Sequence, residues 1–91
     1  MPNRVDANQR EIVAALRGAG ADVHVTSDLG HGFPDLCVGW DGQNLLIEIK
    51  RPGALLTADE LRWHRDWRGQ VAVVHSVEEA VALIRGMGRG S

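Results

Sequence analysis

Asp41-Gly42 lies between two apolar runs, residues 34–40 and 44–51, and no other feature restricts the fold as much. An Asp-Gly pair readily supplies the left-handed residues of a two-residue hairpin, so the flanking runs are expected to pair as antiparallel strands. The second run ends in Leu45-Leu46-Ile47-Glu48-Ile49-Lys50. Side chains along a strand alternate between faces, which puts Glu48 and Lys50 on one face and Ile49 in the core. A carboxylate and an amine side by side on so apolar a strand are hard to explain by packing.

The rest of the chain organises around this hairpin. A helix with Asp6 as its N-cap is expected to end at Gly18, carrying Ile12, Val13 and Leu16 as its apolar stripe. Residues 21–26 form a strand with Val23 and Val25 on one face, followed by a glycine-bearing loop over 27–32. Thr57 caps a second helix running to about Arg68, and Glu60 completes a capping box. Residues 70–75 form a fourth strand. Ser76 then caps a last helix, again with a glutamate (Glu79) three positions on, whose apolar face is Val77, Ala80, Val81 and Ile84. Residues 86–91 read as a flexible tail.

The order is therefore αβββαβ with an additional C-terminal helix. Short connections make the first three strands an antiparallel meander, and the strand–helix–strand unit should set the fourth parallel to the third. The fold class is α/β, a mixed four-stranded sheet flanked by helices. The 91 residues suffice for one domain, 1–91. No apolar stretch is long enough to span a bilayer, so no membrane association is expected, and a cytoplasmic setting fits a chain whose one cysteine, Cys37, has no partner for a disulfide. Cys37 itself is expected to be buried and inert.

Chemistry concentrates around Asp35, which opens its strand after Pro34, a residue suited to strand edges because it lacks an N–H. Gly30 and Gly32 let the preceding loop bend tightly enough for a phosphate to approach. Asp35 and Glu48 offer hard oxygen ligands at low count, which suits Mg²⁺ or Mn²⁺, with the Ile49 carbonyl as a further oxygen. Such an ion polarises a phosphate and acidifies an attacking water. Lys50, beside two carboxylates that favour its ammonium form, reads as an electrostatic stabiliser rather than a base.

Gly32-Phe33-Pro34-Asp35-Leu36, Ile47-Glu48-Ile49-Lys50, Pro52-Gly53 and Leu56-Thr57 together resemble the PD-(D/E)xK nuclease superfamily. The likeness is greatest to the stand-alone VRR-NUC nucleases, which are related to Holliday junction resolvases. It extends from the first helix to the last strand and implies a restriction-endonuclease-like αβββαβ core. By this resemblance Asp35 and Glu48 are metal ligands and Lys50 the catalytic lysine, while Glu11 matches an acidic position that many relatives use as an additional ligand or water contact. The implied activity is Mg²⁺- or Mn²⁺-dependent endonucleolytic cleavage of DNA, leaving 5′-phosphate and 3′-hydroxyl ends. Holliday junctions or other branched DNA are the implied substrates, cut by a homodimer in a bacterial or phage-infected cell. The chain departs from the pattern at Glu60, where relatives usually carry glutamine. Glu60 is open to three uses: pairing with Lys50, helping to hold a second metal, or capping its helix.

DNA contacts are expected from Arg51, beside the catalytic lysine, from Arg62 and Arg65, which with Arg68 form a loose basic stripe on the second helix, and from His31 in the loop before Asp35. A solvated helix whose arginine stems cover apolar surface accounts for that stripe equally well. Trp63 and Trp67 share a helix face and read as core or dimer contacts rather than base-stacking platforms. The net charge of −2 argues weakly against a nucleic-acid partner, although a bound cation would offset several of the acids. The rival reading is a non-catalytic nucleic-acid-binding or assembly module, or a nuclease subunit that needs a partner chain.

Overall fold

The computed structural model describes residues 4–87, with side chains from residue 7 onward. Its elements are α1 (Arg4–Gly18), β1 (Asp22–Val25), a 3₁₀ turn (Ser27–Leu29), β2 (Leu36–Trp40), β3 (Gln43–Ile49), α2 (Ala58–Asp66), β4 (Val71–Val74) and α3 (Val77–Gly86). The strands lie in the order β1-β2-β3-β4, with the first two pairings antiparallel and β3–β4 parallel. This is the mixed α/β sheet expected from the sequence. At the β2–β3 turn, Asp41 (φ 51°) and Gly42 (φ 78°) both adopt the left-handed conformation that a tight hairpin needs.

One face of the sheet forms the core. Leu36, Val38, Leu45, Ile47, Ile49 and Val74 project from it against Ile12 and Leu16 of α1 and Ala80 and Ile84 of α3. Val77, Leu83 and Met87, on the same face of α3 as Ala80 and Ile84, join this packing. The opposite face carries Cys37, Leu46 and Glu48, and α2 lies along it without burying any residue of its own. Its aromatic side chains make the contact instead: Phe33 meets the edge of Trp63 at 5.1 Å, and Trp63 stacks on Trp67 at 4.6 Å.

Several local expectations need correction. α1 already begins at Arg4, so Asp6 lies in its first turn rather than at its cap. Cys37 is only half-buried, because alternation gives Leu36 and Val38 to the core and turns Cys37 to the opposite face, where it borders a groove beside Phe33 and Trp67. Val25 shares a face with Val23 but stands 50% exposed, at the end of an edge strand beside a hollow that it lines with Arg10, Val13 and Ala14 of α1. α2 stops at Asp66, since Trp67 is extended and closes the helix through its own N–H to the Trp63 carbonyl. Gly86 and Met87 belong to α3 and its cap, and the remainder of the expected tail lies outside the described residues. Glu79 does meet Ser76 through its backbone N–H, yet its carboxylate reaches one residue further back, to the N–H and ring of His75, both at 2.9 Å. Among the described residues no helix is long and apolar enough to cross a membrane.

Candidate active site

The register of the sheet creates the site. Leu36 pairs with Ile47, and one more step along the antiparallel ladder sets Asp35 opposite Glu48 on the open face. β2 has ended there, leaving the N–H of Ile49 without a backbone acceptor on that side. The Asp35 carboxylate takes this role, with Oδ2 accepting from Ile49 N at 2.9 Å. The backbone around Asp35 is fixed from its other side by Thr26, whose N–H donates to the Asp35 carbonyl and whose hydroxyl donates to the Pro34 carbonyl, each at 2.7 Å.

Glu48 is the one polar side chain in the buried set of the described residues, 3% exposed, and its Oε1 has no hydrogen-bond partner. Burial, with the Asp35 and Glu60 charges close by, pushes its carboxyl up to about 9, against the pull of Lys50. Burial also raises Asp35, opposed by the Ile49 N–H. Two facing carboxyls in a dry site cannot both ionise cheaply, so without a cation this pair keeps a proton at neutral pH.

Lys50 follows β3, its N–H still bonded to the Val74 carbonyl at 3.0 Å, and its ammonium lies over the same face. The Nζ is 3.9 Å from Glu48 Oε2 but 2.6 Å from Glu60 Oε1. That same Glu60 oxygen accepts the Thr57 N–H at 2.9 Å, while Thr57 Oγ1 accepts the Glu60 N–H at 3.2 Å. Two of the three uses open to Glu60 in the sequence are therefore realised by one carboxylate, which caps α2 and grips the lysine together. Burial alone would raise Glu60, but Lys50 and the Thr57 N–H outweigh it and hold the group below its ordinary value.

The start of α2 is brought this close by Gly32 (φ 84°): a Cβ there would stand 2.5 Å from the Asp59 carbonyl oxygen. The sequence suggested a glycine loop shaped for phosphate, whereas at Gly32 the missing side chain admits the helix. His64, one turn beyond Glu60, was also missed as part of this neighbourhood. Its Nε2 is buried without a partner, and burial lowers its pKa despite the nearby Glu60. The signal was available, because residues four apart on a helix share a face.

The remaining candidates are more dispersed. Glu11 is exposed on α1, and no group of three or more acidic, histidine or cysteine side chains within metal-holding reach occurs among the described residues. Glu11 is thus not gathered with Asp35 and Glu48. Arg51 is exposed next to Lys50. Arg62 pairs with Asp59 and Arg65 with Asp66, so the stripe seen in the sequence alternates with acids and is not a simple basic face. His31, itself left-handed at φ 56°, borders a hollow of about 390 Å³ together with Arg62, Trp63 and Trp67. A larger groove of about 660 Å³ opens on the far side of Trp67, with Phe33, Cys37 and Leu46 among its walls.

The donor chemistry fits a hard divalent cation. Asp35 Oδ1, both Glu48 oxygens and the Ile49 carbonyl are all oxygen donors, and the orphaned Glu48 Oε1 is an acceptor in want of a positive partner. Mg²⁺ and Mn²⁺ commonly take one or two carboxylates and complete their shell with water and substrate oxygens.

No protein-family model and no curated protein matches the chain. A solved structure described as "VRR_NUC domain" does, with a TM-score of 0.77 and 25% sequence identity over 96% of this chain and 100% of the other.

Proposed function

We propose that this chain, which has the VRR-NUC nuclease fold, is a Mg²⁺- or Mn²⁺-dependent DNA endonuclease that hydrolyses phosphodiester bonds. One observation carries the reading. Glu48 is buried, opposed to Asp35 and flanked by Lys50, and one of its oxygens is left without a partner. Such a carboxylate is unfavourable in a purely structural strand, and a bound cation would supply the partner that its Oε1 lacks.

Asp35 and Glu48 would hold the cation, with the Ile49 carbonyl and solvent completing its shell. When bound, a divalent ion supplies charge stabilisation to the phosphate and lowers the pKa of an attacking water. The chain's own groups do the rest. Asp35, fixed by the Ile49 N–H, presents its other oxygen in a set direction. Glu48 gives up its proton on loading. Lys50 directs an ammonium at the charge that grows on the phosphate oxygens. Arg51 and His31, both exposed near the site, are placed to meet the flanking backbone phosphates.

Branched DNA is the proposed substrate and a homodimer the proposed working form. A domain of this size offers little surface for gripping a junction, and Leu55, Leu61 and Trp67 leave apolar area exposed for a second copy. The test is cleavage of labelled four-way junction, linear duplex and single-stranded DNA with Mg²⁺, Mn²⁺ or EDTA, by the wild type and by Lys50→Ala. Paired, metal-dependent nicks near the junction, lost in the variant, are expected. Cutting of all substrates alike would remove the branched-DNA assignment. Absence of cutting at protein levels that shift the DNA would favour a binding module or a partner-dependent subunit.

A further inference from the structure

We propose that Glu60 is a positioning residue that keeps the Lys50 ammonium out of the Asp35–Glu48 pair, so that Glu48 stays open to a divalent cation. The inference rests on the metal-dependent reading above and adds a role that a capping glutamate does not have by itself.

Lys50 poses a problem for any cation site built from Glu48. The two side chains leave the same face two residues apart, a separation of roughly 6–7 Å along a strand. A flexible four-carbon amine spans that distance easily and can neutralise Glu48 in place of a metal. In this chain the ammonium is drawn the other way: it makes a close contact with Glu60 at 2.6 Å and stands only at the outer limit of an ion pair with Glu48, at 3.9 Å. Glu60 wins because its carboxylate cannot follow the lysine toward β3. Its Oε1 is held by the backbone N–H of Thr57 at 2.9 Å, a donor that does not depend on the Thr57 side chain.

The helix turn that bears Glu60 is located in its turn by the close approach of Asp59 to Gly32, in the loop leading to Asp35. A continuous series of fixed contacts therefore runs from the loop before one carboxylate to the lysine beside the other. The negative charge matters as much as the position, because a carboxylate attracts an ammonium by a charge–charge interaction that a neutral amide lacks. A glutamine at this position would cap α2 as well as glutamate does, yet would hold Lys50 less firmly.

The experiment is calorimetric titration of Mn²⁺ into DNA-free protein: wild type, Glu60→Ala, Glu60→Gln, Lys50→Ala and the two Glu60 changes combined with Lys50→Ala. Thr57→Ala serves as a control that weakens the cap while keeping the glutamate. Glu60→Ala and Glu60→Gln are expected to weaken Mn²⁺ binding by about tenfold, within the range of coupling seen between contacting residues. In the Lys50→Ala background the same changes are expected to matter by less than about twofold, because the competing ammonium is gone. Thr57→Ala is expected to lower the melting temperature and leave Mn²⁺ affinity within about twofold of wild type.

Equal losses in both backgrounds would overturn the proposal, since Glu60 would then be acting on the metal through its own charge. A Thr57→Ala loss as large as that of Glu60→Ala would also overturn it, reducing the effect to helix stability. A wild-type protein that binds no Mn²⁺ would overturn the metal-dependent reading and this inference together, an outcome distinct from either of the others.

Discussion

Asp35 closes the end of the sheet with its side chain: its carboxylate accepts the Ile49 N–H at 2.9 Å, where the strand ladder has run out of backbone acceptors. The residue thereby serves the fold and the site at once, and substitutions should separate the two roles. Asp35→Asn retains an acceptor for Ile49 and is expected to fold with near wild-type stability while losing Mn²⁺ affinity. Asp35→Ala leaves a backbone N–H unpaired and is expected to cost a further 1–3 kcal/mol or so. Chemical denaturation beside a Mn²⁺ titration checks both, and an asparagine variant as unstable as the alanine variant would refute the division.

The Glu48 carboxyl, pushed up to about 9 from an ordinary 4.5, makes the stability of the metal-free protein depend on pH. Between those values the folded chain keeps a proton that the unfolded chain has released. The stabilisation from this group is therefore complete below about 4.5 and is lost as pH rises through about 9. In EDTA, the stability of the wild type relative to Glu48→Gln is expected to fall steadily across this window. Added Mn²⁺ should offset the loss most at the alkaline end and should release a proton on binding. Parallel pH profiles for the two proteins would contradict the assignment.

Gly32 and Gly30 are both left-handed, but only Gly32 faces the start of α2. Gly30→Ala meets open space and is expected to cost about 1–3 kcal/mol from backbone conformation alone, because φ 71° with ψ −168° is a region essentially confined to glycine. Gly32→Ala adds a collision with the Asp59 carbonyl and is expected to cost more, by about 1–3 kcal/mol of overpacking. Because it displaces the turn that holds Glu60, it should also reduce cleavage when Gly30→Ala does not. Equal stability and equal activity in the two variants would show that the close approach has no consequence.

α2 buries none of its residues, whereas α1 contributes Ile12 and Leu16 at 0% exposure. Amides of α2 are therefore expected to exchange with solvent well before those at the centre of α1, by local opening rather than global unfolding. Ile47→Ala, which removes a fully buried residue of the central strand, is expected to cost about 2–5 kcal/mol. Leu46→Ala, on the grooved face, should cost less. Hydrogen exchange and denaturant midpoints test these expectations, and protection of α2 equal to that of α1 would point to a partner covering it.

Much of this protein follows from local pattern. The strand order, the hairpin at Asp41-Gly42, the Thr57 and Ser76 caps and the grouping of Asp35, Glu48 and Lys50 were legible because each depends on short-range rules: alternation along strands, turn conformation, and the donors and acceptors at helix starts. The likeness to VRR-NUC nucleases, read from a few short motifs, agrees with a structural match that spans nearly the whole chain. Tertiary structure decided what depends on distance between segments remote in sequence. Glu60 had three open uses until the packing of α2 against Gly32 set its carboxylate on Lys50. Cys37 looked like a core residue until the partial cover of its face left it half-buried beside a groove walled by Phe33 and Trp67. Arg62 and Arg65 looked like a basic stripe until their side chains settled on Asp59 and Asp66. The sequence by itself determined which groups are candidates for the proposed chemistry, because strand alternation puts Glu48 and Lys50 on one face and the hairpin brings Asp35 beside them. Which of them touch, and which are buried, was decided only when the sheet and helices closed around them.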